Sequence, residues 1–166
     1  MIVVSDTTPL NYLVLINAID VLPKLFQHVY APRAVLRELN HPKAPEVVRR
    51  WAEARPAWLK VVDPLSRLPS TARLGPGEAD AISLAKESHV LDILMDERRG
   101  STIAIREGLF PLPTLAIIER AAEQNLLDLR AVLEKLQQTT IRIPGEHLIA
   151  AIEREVARKL AQKPIK

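Results

Sequence analysis

Residues 74–100 admit few folds. They read LGPGEADAISLAKESHVLDILMDERRG: a breaker cluster at Gly75-Pro76-Gly77, a segment of helical period, a short apolar run and a charged edge. Proline is tolerated in a first helical turn because its missing N–H would be unpaired there anyway, so the spacing predicts a helix over 78–88. At about 100° per residue its wheel gathers Ala81, Ile82, Leu84 and Ala85 on one side, with Glu78 inside that sector, and sends Ser83, Lys86 and Glu87 to the other. Ile93-Leu94-Met95 then has the uninterrupted apolar character of a strand covered on both faces, as in parallel sheets. It stops at Asp96-Glu97-Arg98-Arg99. Ligands of open α/β sheets bind beyond the carboxyl ends of the strands, which is where Asp96 falls.

The amino end has the same grammar. Ile2-Val3-Val4 runs into Ser5-Asp6-Thr7-Thr8, and residues 9–16 carry helical apolar spacing, so Asp6 occupies the place that Asp96 has, with two hydroxyls beside it. Capping the next helix is the competing role for such an Asp. A short helix over 21–26 and a strand over 28–30 follow, and Pro32-Arg33 opens a helix over 33–39 in which Ala34, Val35, Glu38 and Leu39 share a face. Burying a lone carboxylate there is costly unless something pairs with it, the alternative being a helix-edge Glu that reaches water. The pattern continues with a turn over 40–45, a helix over 46–54, an edge strand over 59–62 between Pro56 and Pro64, and a loop over 63–70. Beyond Gly100 it predicts a helix over 102–107 stopped by Gly108, a strand over 110–112 and a helix over 115–124. Helices over 126–136 and 146–160 complete the chain, with Arg154, Arg158, Lys159, Lys163 and Lys166 reading as a solvated basic tail.

At 166 residues and 48% apolar, the chain suffices for one core, so a single domain over 1–166 with a helical extension from about 126 is expected. The absence of cysteine excludes disulfides, thiolate metal sites and Cys nucleophiles. MIVVSD lacks a basic, then apolar, leader pattern, and no segment approaches roughly 18 uninterrupted apolar residues, so a soluble cytoplasmic protein without a membrane partner is expected. A net charge of +3 permits binding to a polyanion without requiring it. There is no GxxxxGK[ST] loop, no GxGxxG after the first strand, no HExxH and no GxSxG, and the histidines at 28, 41, 89 and 147 have no metal-ligand spacing. What remains is acids at strand ends and helix starts. Hard cations such as Mg²⁺ and Mn²⁺ are held by a few carboxylates plus waters, commonly for phosphoester chemistry.

The strand ending in Ser5-Asp6-Thr7-Thr8-Pro9-Leu10, the APRAVLREL segment, the GEADAISLA helix and the ILMDERRG strand end together resemble a PIN-domain protein, in particular the compact PIN-like group. The resemblance covers about residues 1–127. It implies an α/β fold, a three-layer α/β/α sandwich with a doubly wound, mainly parallel sheet, and a Mg²⁺- or Mn²⁺-binding acid cluster that cleaves single-stranded RNA. Members of that family often act as the toxin of a toxin-antitoxin pair, so an antitoxin protein is an implied partner, and a homodimer is the expected assembly. Asp6, Glu38 and Asp96 match the family's acids. Glu78 stands where many relatives have Asp, with Asp80 and Glu97 as additional acids nearby. Residues two apart on a helix point about 200° apart, so Glu78 and Asp80 cannot both face one site; Glu78, in the sheet-facing sector, is the expected third acid. Thr7 offers polar support, and Arg33, Arg37, Arg98 and Arg99 are candidate phosphate contacts, ion pairing being their competing role. Two rivals remain: a phosphatase of the haloacid-dehalogenase type, which needs an acid where Thr8 stands, and a catalytically silent PIN-like module that binds RNA or a partner.

Overall fold

The structure is a computed structural model that describes residues 1–162. Five short strands, β1 (Ile2–Ser5), β2 (His28–Ala31), β3 (Leu59–Val61), β4 (Asp92–Leu94) and β5 (Phe110–Leu112), pair in the order β3-β2-β1-β4-β5, all parallel. Val3 and Val4 of β1, Val29 of β2 and Ile93 and Leu94 of β4 are fully buried, which is why these strands are apolar without alternation.

The chain builds outward from β1 through β2 to β3, then returns past β1 to lay down β4 and β5. Right-handed crossovers therefore put α1 (Thr7–Leu15), α2 (Leu22–Leu25), α3 (Arg33–Leu39) and α4 (Glu46–Ala54) on one face, and α5 (Pro76–Glu87) and α6 (Arg98–Arg106) on the other. The result is a three-layer α/β/α sandwich with the chain reversal at the junction of β1 and β4, where ligands of doubly wound sheets bind. On the second face Ala81, Ile82, Leu84 and Ala85 of α5 pack with Val4, Ile93, Met95 and Ala104.

Several boundaries differ from expectation for identifiable reasons. Ser83 is buried rather than solvent-facing: residues 63–75 pass over α5, Leu68 N–H donates to its Oγ at 2.9 Å, and the hydroxyl donates to the Ala79 carbonyl. That same segment contains a 3-10 turn, Pro69–Thr71, instead of being all loop, and another 3-10 turn, Ile19–Val21, precedes α2. Helix α6 begins at Arg98, four residues before the expected start, because the charged edge after β4 is already its first turn.

The chain divides into two compact units, residues 1–114 and 115 onward. The second comprises most of α7 (Thr114–Glu123) together with α8 (Leu129–Gln137) and α9 (Gly145–Ala161), and α8 starts later than expected, capped by the Asp128 carboxylate on the Ala131 N–H. The described part of the basic tail is helical: Arg154 and Lys159 are exposed as expected, but Arg154 also binds Glu119 at 2.8 Å, and Lys159 and the more buried Arg158 approach Glu155 of α9 itself. Lys163 and Lys166 lie outside the described residues. Among the described residues no helix is long and apolar enough to cross a membrane.

Candidate active site

Because β1 and β4 are neighbours, the acids that follow them begin close together, and the Asp6 N–H donates to the Leu94 carbonyl at 2.9 Å. Asp6 stands at the N-cap position of α1, yet its side chain makes no capping bond. It is 2% exposed, and its Oδ1 has no hydrogen-bond partner among the described residues. Burial pushes its carboxyl up to about 7; the Thr7 backbone N–H offsets part of this, and repulsion from Glu78, Glu38 and Asp96 adds to it. A carboxylic acid in that range keeps a share of its protons at neutrality.

Glu38 is not a helix-edge residue reaching water. Its carboxylate accepts the Thr7 hydroxyl and, at 2.8 Å, the Gly77 N–H at the start of α5. Gly77 is glycine for a spatial reason, since a Cβ there would lie 2.6 Å from Glu38 Oε2 and 2.8 Å from Oε1. One turn into α5, Glu78 Oε2 accepts the Gly75 N–H at 3.2 Å, which is half of a capping box, while its Oε1 is buried without a partner. Burial raises the Glu78 pKa first; the Gly75 bond lowers it, the Glu97 and Glu38 charges raise it, and Arg99 lowers it. Gly100 in the first turn of α6 leaves room for this side chain: a Cβ there would meet Glu78 Oε1 at 2.6 Å and Met95 Sδ at 2.8 Å. Asp96 receives the Thr114 N–H at 2.8 Å and the Thr114 hydroxyl at 2.6 Å. Burial holds its pKa above the ordinary value and these two bonds lower it.

Asp6, Glu38, Glu78 and Asp96 thus come together at the carboxyl ends of β1 and β4. Glu97, exposed at the N-cap of α6, acts on Glu78 through its charge. Asp80 points away: it is buried against Arg67, whose Nε and Nη2 both donate to its carboxylate, so it is one half of an ion pair rather than a helix-start charge. Of the candidate phosphate contacts, Arg33 pairs with Asp63 at 3.5 Å. Arg37, Arg98 and Arg99 are exposed, and Arg99 stands close enough to Glu78 to act on it. Thr114 is a site residue that the sequence reading does not single out; its signal is a hydroxyl opening the helix directly after β5, the counterpart of Thr7 after β1.

All the donors gathered here are carboxylate oxygens, two of them buried and unpartnered, which suits a hard divalent cation in type and charge. As the side chains stand, no three His, Asp or Glu among the described residues form a group that could hold a metal ion. Glu78 has one oxygen held by Gly75 and the other free, whereas Glu38 has both oxygens hydrogen-bonded, to Thr7 and Gly77, and would meet a cation only through its remaining lone pairs.

No curated protein and no solved structure matches the chain significantly. A family model described as a PIN domain matches residues 2–158. Proteins with this domain are generally nucleases and typically use divalent metal ions. With the match running through nearly the whole sequence, the chain belongs to the PIN-domain family.

Proposed function

We propose that this protein is a Mg²⁺- or Mn²⁺-dependent endoribonuclease that hydrolyses phosphodiesters of single-stranded RNA, with Asp6, Glu38, Glu78 and Asp96 as metal ligands and catalytic acids. The observation that carries this reading is the convergence of these carboxylates on Asp6, whose carboxyl is pushed up to about 7 with an unpartnered oxygen. Such an arrangement costs stability by itself, and bound positive charge reverses the cost. A divalent cation held there supplies the Lewis acidity and charge neutralisation that phosphodiester hydrolysis needs.

The chain's own residues do the positioning. Thr7 and the Gly77 N–H fix Glu38, Thr114 aims Asp96 with two bonds, and Gly75 holds one oxygen of Glu78 and leaves the other facing inward. Asp6, whose carboxyl is raised to about 7, would lose its remaining proton to solvent were positive charge bound beside it. The hydroxyls of Thr7 and Thr114 hold the Glu38 and Asp96 carboxylates in place, and the nucleophile in this reading is water. A role as a toxin restrained by an antitoxin protein, which the family resemblance supports, completes the proposal together with a homodimeric state and a cytoplasmic location. The catalytically silent alternative is favoured by one observation, that the acids as they stand form no ready ligand group.

Cleavage of labelled single-stranded RNA in millimolar Mn²⁺ separates the two. The expected result is hydrolysis that EDTA abolishes and that Asp6→Asn, Asp96→Asn and Glu78→Gln each reduce by about 100-fold or more, the scale of losing a group that orients or ligates a metal. Asp80→Asn should retain turnover and lose some stability through its Arg67 pair. A wild type that melts at a higher temperature with Mn²⁺ yet leaves RNA intact is the silent module, and activity surviving EDTA overturns the metal-dependent reading.

A further inference from the structure

Beside the acid cluster lies a groove of about 410 Å³ between the 3-10 turn Pro69–Thr71 and helix α6, lined by Arg73, Arg99 and Arg106 together with Ser70, Thr102 and Ile103. The three arginines are exposed, and none of them makes a salt bridge among the described residues. Three other arginines of this unit are matched: Arg33 with Asp63, Arg50 with Glu46, Arg67 with Asp80. Arg73 and Arg106 have no ion-pair partner among the described residues and Arg99 has only the Glu78 charge near it, so the groove carries an excess of positive charge that an entering anion offsets.

Arg99 ties the groove to the acid cluster, since it lines the groove and its charge acts on Glu78. Gly100, against which Glu78 Oε1 rests, is the neighbour of Arg99 in the first turn of α6, and Arg106 follows about two turns and roughly 10 Å further along the same helix. Arg73 enters from the opposite wall, two residues before the Gly75 whose N–H holds Glu78. Positive charge therefore continues from Arg99, near Glu78, to Arg106 along α6, with Arg73 on the facing segment. Ile103 gives the floor an apolar surface and Ser70 a hydroxyl.

We infer that this groove is the track for the phosphate backbone of a single RNA strand next to the scissile bond, with Arg73 and Arg106 binding the flanking phosphates and Arg99 the one nearest the acids. The inference rests on the proposed nuclease reading. A phosphodiester strand satisfies both halves of the surface, because its flanking phosphates meet arginines while its scissile phosphate reaches the carboxylates through bound cations. An acidic protein segment laid in the same groove would run unshielded into four carboxylates.

Binding without turnover tests it. Anisotropy of a fluorescein-labelled single-stranded RNA oligonucleotide is followed in EDTA with the full chain, with Arg73→Gln and Arg106→Gln, and with Arg50→Gln as the control for net charge; thermal melts check that all are folded. Each groove variant should weaken binding about 3- to 10-fold and lower the slope of log K against log salt by about 0.7 for each phosphate no longer neutralised, with Arg50→Gln unchanged. Equal affinities for wild type and groove variants, an equal effect of Arg50→Gln, no measurable binding by wild type, or displacement of the RNA by poly-glutamate at matched charge each overturn the track, the last in favour of an acidic protein partner. If RNA binds through the groove but Mn²⁺ supports no cleavage, the track stands and the nuclease reading falls; if RNA is cleaved while the groove variants bind and cleave like wild type, the reverse holds.

Discussion

Ionising Asp6 in the folded protein means placing a charge where water is excluded and three other carboxylates are near. The unfolded chain releases this proton around the ordinary value of 3.8, whereas the folded chain keeps it up to about 7. Between those values the folded state binds the extra proton, so stability falls as pH rises, by at most about 1.4 kcal/mol per unit for this one group, and levels off above the folded value. In chelator, Asp6→Asn should therefore gain melting temperature over wild type on going from about pH 5 to about pH 8, because the amide has no charge to bury. Parallel slopes for the two proteins would mean that Asp6 is solvated or paired in solution. The position of this residue is legible in the sequence, as is that of Asp96, because an acid directly after a buried parallel strand lies at the carboxyl edge of the sheet whatever the details. The hydroxyl partners of Glu38 and Asp96 are not legible. Thr7 reaches Glu38 across 31 residues and Thr114 reaches Asp96 across 18, and nothing local to either acid announces a hydroxyl delivered by another part of the chain.

Helix α5 shows how an element can be correctly located and still be misjudged at its surface. Its apolar sector and the place of Glu78 within it follow from a 3.6-residue period, but the same period sends Ser83 and Asp80 outward, and both are covered by residues 63–75, a segment with no period to read. The early start of α6 escapes the sequence for the opposite reason, since Asp96-Glu97-Arg98-Arg99 looks like a solvated edge and is in fact a link from β4, an N-cap and a first turn in immediate succession. Where α5 begins, a glycine couples helix geometry to the site. Gly77→Ala replaces a poor helix former by a good one, worth up to about 1 kcal/mol, but the new methyl would occupy the space of the Glu38 carboxylate. That carboxylate can swing aside, so the melting temperature should move little while Mn²⁺ affinity and RNA cleavage drop at least about 10-fold, the scale on which ligand-orienting residues act. Calorimetric titration with Mn²⁺ next to a thermal melt checks this; unchanged metal affinity would show that Glu38 does not serve the metal.

At the scale of the molecule, the doubly wound order β3-β2-β1-β4-β5 has a consequence in time as well as in space. The first acid is made at residue 6 and the fourth at residue 96, and the threonine that holds the fourth comes at residue 114. Parallel pairing cannot begin until the crossover between two strands exists, so β4 joins β1 only after some ninety residues have left the ribosome. On the proposed ribonuclease reading the protein is synthesised on its own class of substrate, and this topology would leave the growing chain harmless towards its own message for most of its translation. Chains released after residue 90 in a translation extract should leave the template intact where the full-length chain degrades it, and template loss with the short product would place the cutting elsewhere than in these acids. The delay needs no inhibitor, because it is written into the order in which the strands are made.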